Sequence, residues 1–127
     1  MKNKLWIILL TGILFTACHR KTIPEAEAGL ITETGIASYY ADQFEGRSTA
    51  SGEIFRQSKL TAAHKKIPFG TMVKVTNLSN HKTVTVRVND RGPYVSGRII
   101  DLSKSAAMLI GLVGPGIAKV QIEYRKK

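Results

Sequence analysis

VTVRVNDRGPYVSGRIIDLS, residues Val84 to Ser103, carries an alternating strand into a tight turn and on toward a helix start. Side chains on a strand alternate between its two faces, so Val84, Val86 and Val88 share one face. Asp90 has the same parity, and the pattern points its carboxylate toward the apolar side. Burial disfavours the charged form of an acid, and an acid that keeps its proton suits general-acid chemistry. The same residue can instead cap the turn at Arg91-Gly92-Pro93, as many Asp residues do. On this stretch alone both readings stand.

Outward from it, the signals are mostly strands. Gly35 to Tyr40 (GIASYY) is short and β-like, and Asp42 to Glu53, rich in Gly, Ser and Thr, reads as a loop. Lys59 to His64 (KLTAAH) is a short strand closed off by Ile67-Pro68-Phe69-Gly70. Thr71 to Asn77 and Lys82 to Val88 alternate on either side of Leu78-Ser79-Asn80-His81, which predicts a hairpin. Ser103 can cap a helix through Ala106, Ala107, Met108 and Leu109, with Gly111 near its end. Gly116 to Tyr124 supplies a last strand, with Ile117, or Val120 and Ile122, turned inward. Short strands with one helix predict a mainly β fold, a small barrel whose closure removes exposed edges.

The start of the chain speaks to location. Lys2 and Lys4 precede an apolar run from Leu5 to Ala17, interrupted only by Thr11, Gly12 and Thr16. A bilayer span needs about 20 apolar residues, whereas a basic start and a shorter apolar core build a secretory signal peptide. The run ends Phe15-Thr16-Ala17-Cys18, which resembles a bacterial lipobox, with Phe15 where Leu is more usual. Residues 1–17 are therefore read as a lipoprotein signal peptide, and Cys18 as the lipidated first residue of the mature chain. Residues 18–34 are read as a lipid-anchored tether, basic at His19 to Lys21 and broken by Pro24, and residues 35–127 as one domain.

Cys18 is the single cysteine, which excludes an internal disulfide framework and a multi-cysteine zinc site. His19, His64 and His81 lack metal-ligand spacing, so no metal and no cofactor is expected, and a monomer suffices. After residue 17, 17 of the 19 Lys and Arg remain against all nine acids, a charge of +8. A basic surface can signal nucleic acid, but an exported lipoprotein meets none. Its acidic partners are lipid head groups and the carboxylates of the cell-wall polymer. The expected location is the cell envelope. His19 stands where an inner-membrane retention Asp would sit, which favours the outer membrane, facing the periplasm, in a Gram-negative host.

Three runs, GIASYYADQFEGRSTASGEIF, LTAAHKKIPFGTMVKVTNL and VRVNDRGPYVSGRIIDLS, together resemble the rare lipoprotein A family in the same order, from Gly35 to Tyr124. The resemblance implies a six-stranded double-psi β-barrel with one or two short helices, related to barwin-like and expansin domains. It also implies a lytic transglycosylase, which cleaves the MurNAc-GlcNAc bonds of peptidoglycan glycan strands during wall remodelling or cell separation. Such an enzyme can work with one acid. The acid protonates the glycosidic oxygen, then accepts a proton from the C6 hydroxyl of the same sugar, and a 1,6-anhydro end forms. A rival implication is a non-catalytic, expansin-like module that binds peptidoglycan. Many members add a C-terminal SPOR domain, which the sequence to Lys127 does not include, so septal targeting does not follow from the resemblance. The loop GRSTASGE also departs slightly from the more usual GRTTANGE-like form.

The resemblance assigns roles by position. Asp90 in VNDRG is the leading catalytic acid. Glu53 in SGEIF and His64 in LTAAH match further catalytic positions, although by residue type alone one is a solvated turn acid and the other a structural histidine. Asp101 in IIDLS matches the key acid of expansin-like domains, but it can equally cap the helix after Ser103. Asp101 is placed with substrate binding, while the choice between Asp90 and Asp101 as proton donor stays open. Tyr39 and Tyr40 can offer a flat face to a sugar, and one of the two belongs to the core because strand neighbours face opposite sides; Tyr39 is the binding candidate. Arg47 and Arg91 can hold substrate carboxylates by bidentate hydrogen bonds, or pair with Asp90.

Overall fold

The computed structural model describes residues 12–13 and 28–126; Cys18, the rest of the leader and the tether up to residue 27 lie outside them. Six strands follow in order: β1 (Leu30–Tyr39), β2 (Thr61–Ala63), β3 (Met72–Asn77), β4 (Thr83–Asp90), β5 (Arg98–Leu102) and β6 (Ala118–Arg125). One helix, α1 (Lys104–Leu109), lies between β5 and β6, and a short 3-10 turn spans Asp42–Phe44. The strands close into a barrel in the order β1-β5-β2-β4-β3-β6. Two pairs, β1 with β5 and β2 with β4, run parallel, and the rest run antiparallel. The mainly β barrel with one short helix that the sequence predicts is present.

The alternation of the hairpin strands produces the core. Val73 and Val75 on β3 and Val84, Val86 and Val88 on β4 face inward, where they meet Ile100, Leu102, Val120 and Ile122. Burying each such side chain stabilises the fold by about 1.5–3 kcal/mol. Helix α1 lays Ala106 and Ala107 against this core. It starts where Ser103 Oγ accepts from Ala106 N, the predicted cap. Gly35 lets β1 pass close to its neighbour, since a Cβ there would fall 2.5 Å from Ile99 Cγ2.

Two expectations need correction. The segment Leu30 to Thr34, read as tether, is the first half of β1 and pairs with Gln121 to Arg125 of β6. Its Thr and Glu side chains hid a strand that the β6 partner stabilises. The second concerns Asp90. Ala62 pairs with Val88 but Ala63 pairs with Asp90, so Asn89 is an extra residue, a β-bulge. Asn89 joins Val88 in the interior, and the count by twos that aimed Asp90 at the apolar side fails there. Asp90 is half-buried in a cleft instead.

Candidate active site

Barrel closure places two carboxylates on either side of one alanine. Ala63 of β2 is the register partner of Asp90 on β4 and of Asp101 on β5. Neighbouring strands lie about 4.8 Å apart, so the two acids stand two strand spacings from each other across a small side chain. Both line an open cleft of about 440 Å³.

Asp90 is held by three donors. Tyr40 Oη donates to Oδ2 at 2.5 Å, while the backbone N–H groups of Ala50 and Arg91 donate to Oδ1 at 2.9 Å each. Among the described residues no cation forms an ion pair with Asp90. Tyr40 packs on Phe55 at 4.3 Å between ring centroids and on Phe44 at 5.7 Å. Burial, then the hydrogen bond to Asp90, then repulsion from Asp90 and Asp101 push the phenol far above its ordinary value. Tyr40 therefore remains a donor throughout the working pH range.

Asp101 has different company. Its Oδ1 accepts from Ser38 Oγ, the side chain beside it on β1, and from Arg98 Nη2 at 3.0 Å. Arg98 also bonds Ser38. Asp101 is thus a salt-bridged acid in the same cleft.

Glu53 does not line the cleft. Its carboxylate takes a bidentate pair from Arg87, at 2.7 and 2.9 Å, and a third bond from Asn89 Nδ2 at 3.0 Å. The Arg87 bonds first, and then the Asn89 bond, hold it below its usual range, so it stays ionised. Its backbone is linked to Asp90 through the loop. Thr49 bonds the Glu53 carbonyl through both N and Oγ1, and this turn presents Ala50 N to Asp90.

His64 also faces elsewhere. Nδ1 accepts from the N–H groups of Lys66 and Ile67, at 3.0 and 3.1 Å, so the ring proton sits on Nε2, which meets Glu33 Oε2 at 3.0 Å. The side chain is 7 % exposed. Only its backbone reaches the acid, since His64 N donates to Asp90 O at 3.2 Å.

The proposed binding residues divide. Arg47 lines the cleft with its guanidinium 5.6 Å from the Phe44 ring. Arg91 also borders it, but its guanidinium bonds the carbonyls of His64 and Ile67 and lies 3.9 Å over Phe69. Tyr39 packs on the core and its hydroxyl bonds Val113 O at 3.4 Å, so Tyr40 is the tyrosine at the cleft. Sequence reasoning passed over Tyr94, 78 % exposed on the cleft rim, and Arg98. An aromatic directly after Asp-Arg-Gly-Pro was a signal for the first, and a cation three residues before Asp101 for the second. Among the described residues no three of His, Cys, Asp and Glu come together as a metal site.

A closed six-stranded barrel in the order β1-β5-β2-β4-β3-β6, with β1-β5 and β2-β4 parallel, fits the double-psi β-barrel class. Solved structures agree on the fold: Streptomyces papain inhibitor aligns with TM-score 0.61 at 24% identity, over 76% of this chain and 96% of that one. The expansin of Clavibacter michiganensis aligns with TM-score 0.60 at 22% identity, over 76% of this chain and 52% of the expansin. Residues 32–122 match the family described as lytic transglycolase, and the chain belongs to that family. It is 52% identical over 103 residues to a protein of Pasteurella multocida named endolytic peptidoglycan transglycosylase RlpA, covering 81% of this chain and 35% of that one. The Campylobacter jejuni protein of the same name is 55% identical over 92 residues, covering 72% and 34%. The chain thus spans about a third of the length of these curated relatives.

Proposed function

We propose that this chain is a lytic transglycosylase acting on the glycan strands of peptidoglycan, with Asp90 as its acid. The observation that carries the reading is the Asp90 carboxyl group, set in an open cleft, fixed by Tyr40 and two backbone N–H groups, and free of a cation partner among the described residues. Asp101 is instead tied to Arg98 and Ser38, an arrangement that suits holding substrate. The relatives' names support peptidoglycan as the substrate.

In this reading Asp90 protonates the glycosidic oxygen, the C1–O bond of MurNAc breaks, and the leaving sugar departs with a neutral hydroxyl. The Asp90 carboxylate then takes the proton of the C6 hydroxyl on the same MurNAc, and O6 closes on C1. The product is a 1,6-anhydro end, the acid is regenerated and no water is consumed. Tyr40 keeps the carboxyl group oriented, Asp101 with Arg98 and Ser38 contacts sugar hydroxyls, and Tyr94 and Phe44 offer apolar faces to the rings. Glu53 and His64 act on Asp90 through the segments they fix.

The lipobox-like segment ending at Cys18 supports lipid anchoring in the cell envelope, the outer membrane in a Gram-negative host. The enzymatic reading is tested by incubating the chain with intact and peptide-stripped glycan strands and analysing the products by mass spectrometry. New anhydro-muramyl ends are expected. Binding without new ends would contradict the reading and leave an expansin-like wall-binding module.

A further inference from the structure

Beyond the cleft, three depressions join into one face, and the one beside His64 shares Arg98 with the cleft. Lys66 and Tyr124 line both the depression beside His64 and a second one of about 390 Å³, which Ile31, Ile67 and Pro68 also line. Tyr124 and Arg125 carry the face on to a third, of about 570 Å³, bordered by Leu30 and Met72. Leu30 is 39 % exposed and Met72 54 %. Lys65, Lys66, Lys74 and Lys126 border these depressions, and no described carboxylate forms an ion pair with any of them. The acids on the face are Glu33, bonded to His64, and Glu123.

Exposed apolar side chains ringed by lysines fit a membrane interface, where apolar groups enter the head-group layer and cations meet anionic lipid. The path of the chain favours that partner over the wall polymer. It enters the barrel through this face: Arg125 Nη1 donates to Ala28 O at 2.8 Å, and Lys126 N to Gly29 O at 3.2 Å. Cys18 stands ten residues before Ala28, a reach of roughly 35 Å at most. An anchor at Cys18 would therefore keep this face within a short tether of the lipid.

We infer that the face formed by Leu30, Met72, Lys66, Lys74 and Lys126 docks on a phospholipid surface carrying anionic head groups. Its setting rests on the lipid anchoring proposed above, but the surface itself is separable from the anchor. Docking fixes the orientation of the barrel, with Tyr40 and the cleft about 30 Å along β1 from Leu30.

The test uses residues 18–127 with Cys18→Ser, which cannot be lipidated, and vesicles of phosphatidylcholine alone or with about a third phosphatidylglycerol. Co-sedimentation with the anionic vesicles is expected, falling as salt rises, with little on the neutral ones. Lys66→Gln with Lys126→Gln weakens binding about 25-fold, at about fivefold per charge. Met72→Ser weakens it about threefold. Lys82→Gln with Lys119→Gln, exposed lysines beside the β3–β4 hairpin, leaves it unchanged. Three results would overturn the inference: no binding to anionic vesicles at low salt, an equal loss in the hairpin pair, or a Lys66/Lys126 variant that binds vesicles normally and loses binding to peptidoglycan sacculi. Mass spectrometry of Cys18 from the envelope fraction reports on the anchor separately, so failure of the anchor is not mistaken for failure of the surface.

Discussion

Tyr40 Oη donates to Asp90 Oδ2 at 2.5 Å, and it does so from the residue after β1 to the last residue of β4, two strands that do not pair. The charge of Asp101 adds the smallest of the effects that raise the pKa of the same phenol. Removing the hydroxyl leaves Asp90 with only its two backbone donors. A hydrogen bond to a charged group contributes about 1.5–3 kcal/mol, so Tyr40→Phe should lower kcat by about 10- to 100-fold. KM should change little, and the variant should stay folded with a lower thermal midpoint, because the ring still packs on Phe55 while the bond to Asp90 is lost. Steady-state kinetics beside a thermal melt checks this. An unchanged kcat would remove Tyr40 from the chemistry.

His64 should behave as a structural histidine that acts on the site at one remove. Its Nδ1 satisfies two backbone N–H groups, and a buried donor left without a partner costs about 1–3 kcal/mol. His64→Ala is expected to lower stability by about 2–5 kcal/mol. His64→Asn keeps an acceptor near Nδ1 and should recover much of both stability and activity. Chemical denaturation separates the two variants. An Asn variant as stable as wild type but inactive would instead place the ring in the chemistry.

Glu53 makes a pH prediction with a definite sign. Its pKa is lowered in the folded state from an ordinary value of 4.5, chiefly by Arg87. Its contribution is therefore fully present above the unfolded value and is lost as pH falls through the lower folded value. The group is 43 % exposed, so the effect is about 1 kcal/mol or less. Glu53→Gln should flatten the acid limb of stability without moving the neutral-pH midpoint by more than that amount. Urea midpoints followed by circular dichroism from neutral to acid pH read this out. A steeper acid limb in the variant would contradict the assignment.

Tyr94 is 78 % exposed, and its side chain has no hydrogen bond among the described residues. Tyr94→Ala should raise KM for glycan strands about 3- to 10-fold, the range of a lost ring contact, and leave the melting temperature alone. Equal KM values would take the rim out of substrate binding.

Much of the barrel was legible because β3 and β4 alternate cleanly and Ser103 announces α1. Leu30 to Thr34 was not, since its polar residues become a strand only through their partners on β6. The position of Asp90 was legible and its direction was not. Parity counts by twos, and a bulge at Asn89 is decided by the pairing with β2, which local pattern does not encode. The juxtaposition of Asp90 and Asp101 across Ala63 depends on three strands meeting in an order that differs from their order in the sequence. Alternation placed Tyr39 and Tyr40 on opposite sides but could not say which one reached the cleft. Glu53 and His64 were read from motif position, and their partners Arg87 and Glu33 emerge only on folding.

The central claim is that Asp90, and not Asp101, moves the proton. The direct measurement is the rate at which Asp90→Asn and Asp101→Asn release anhydro-muramyl ends from peptide-stripped glycan strands, with folding confirmed by circular dichroism. No detectable product is expected from Asp90→Asn, and a reduced but measurable rate from Asp101→Asn. Anhydro ends from a folded Asp90→Asn variant, with none from Asp101→Asn, would contradict the claim and move the acid to the other side of Ala63.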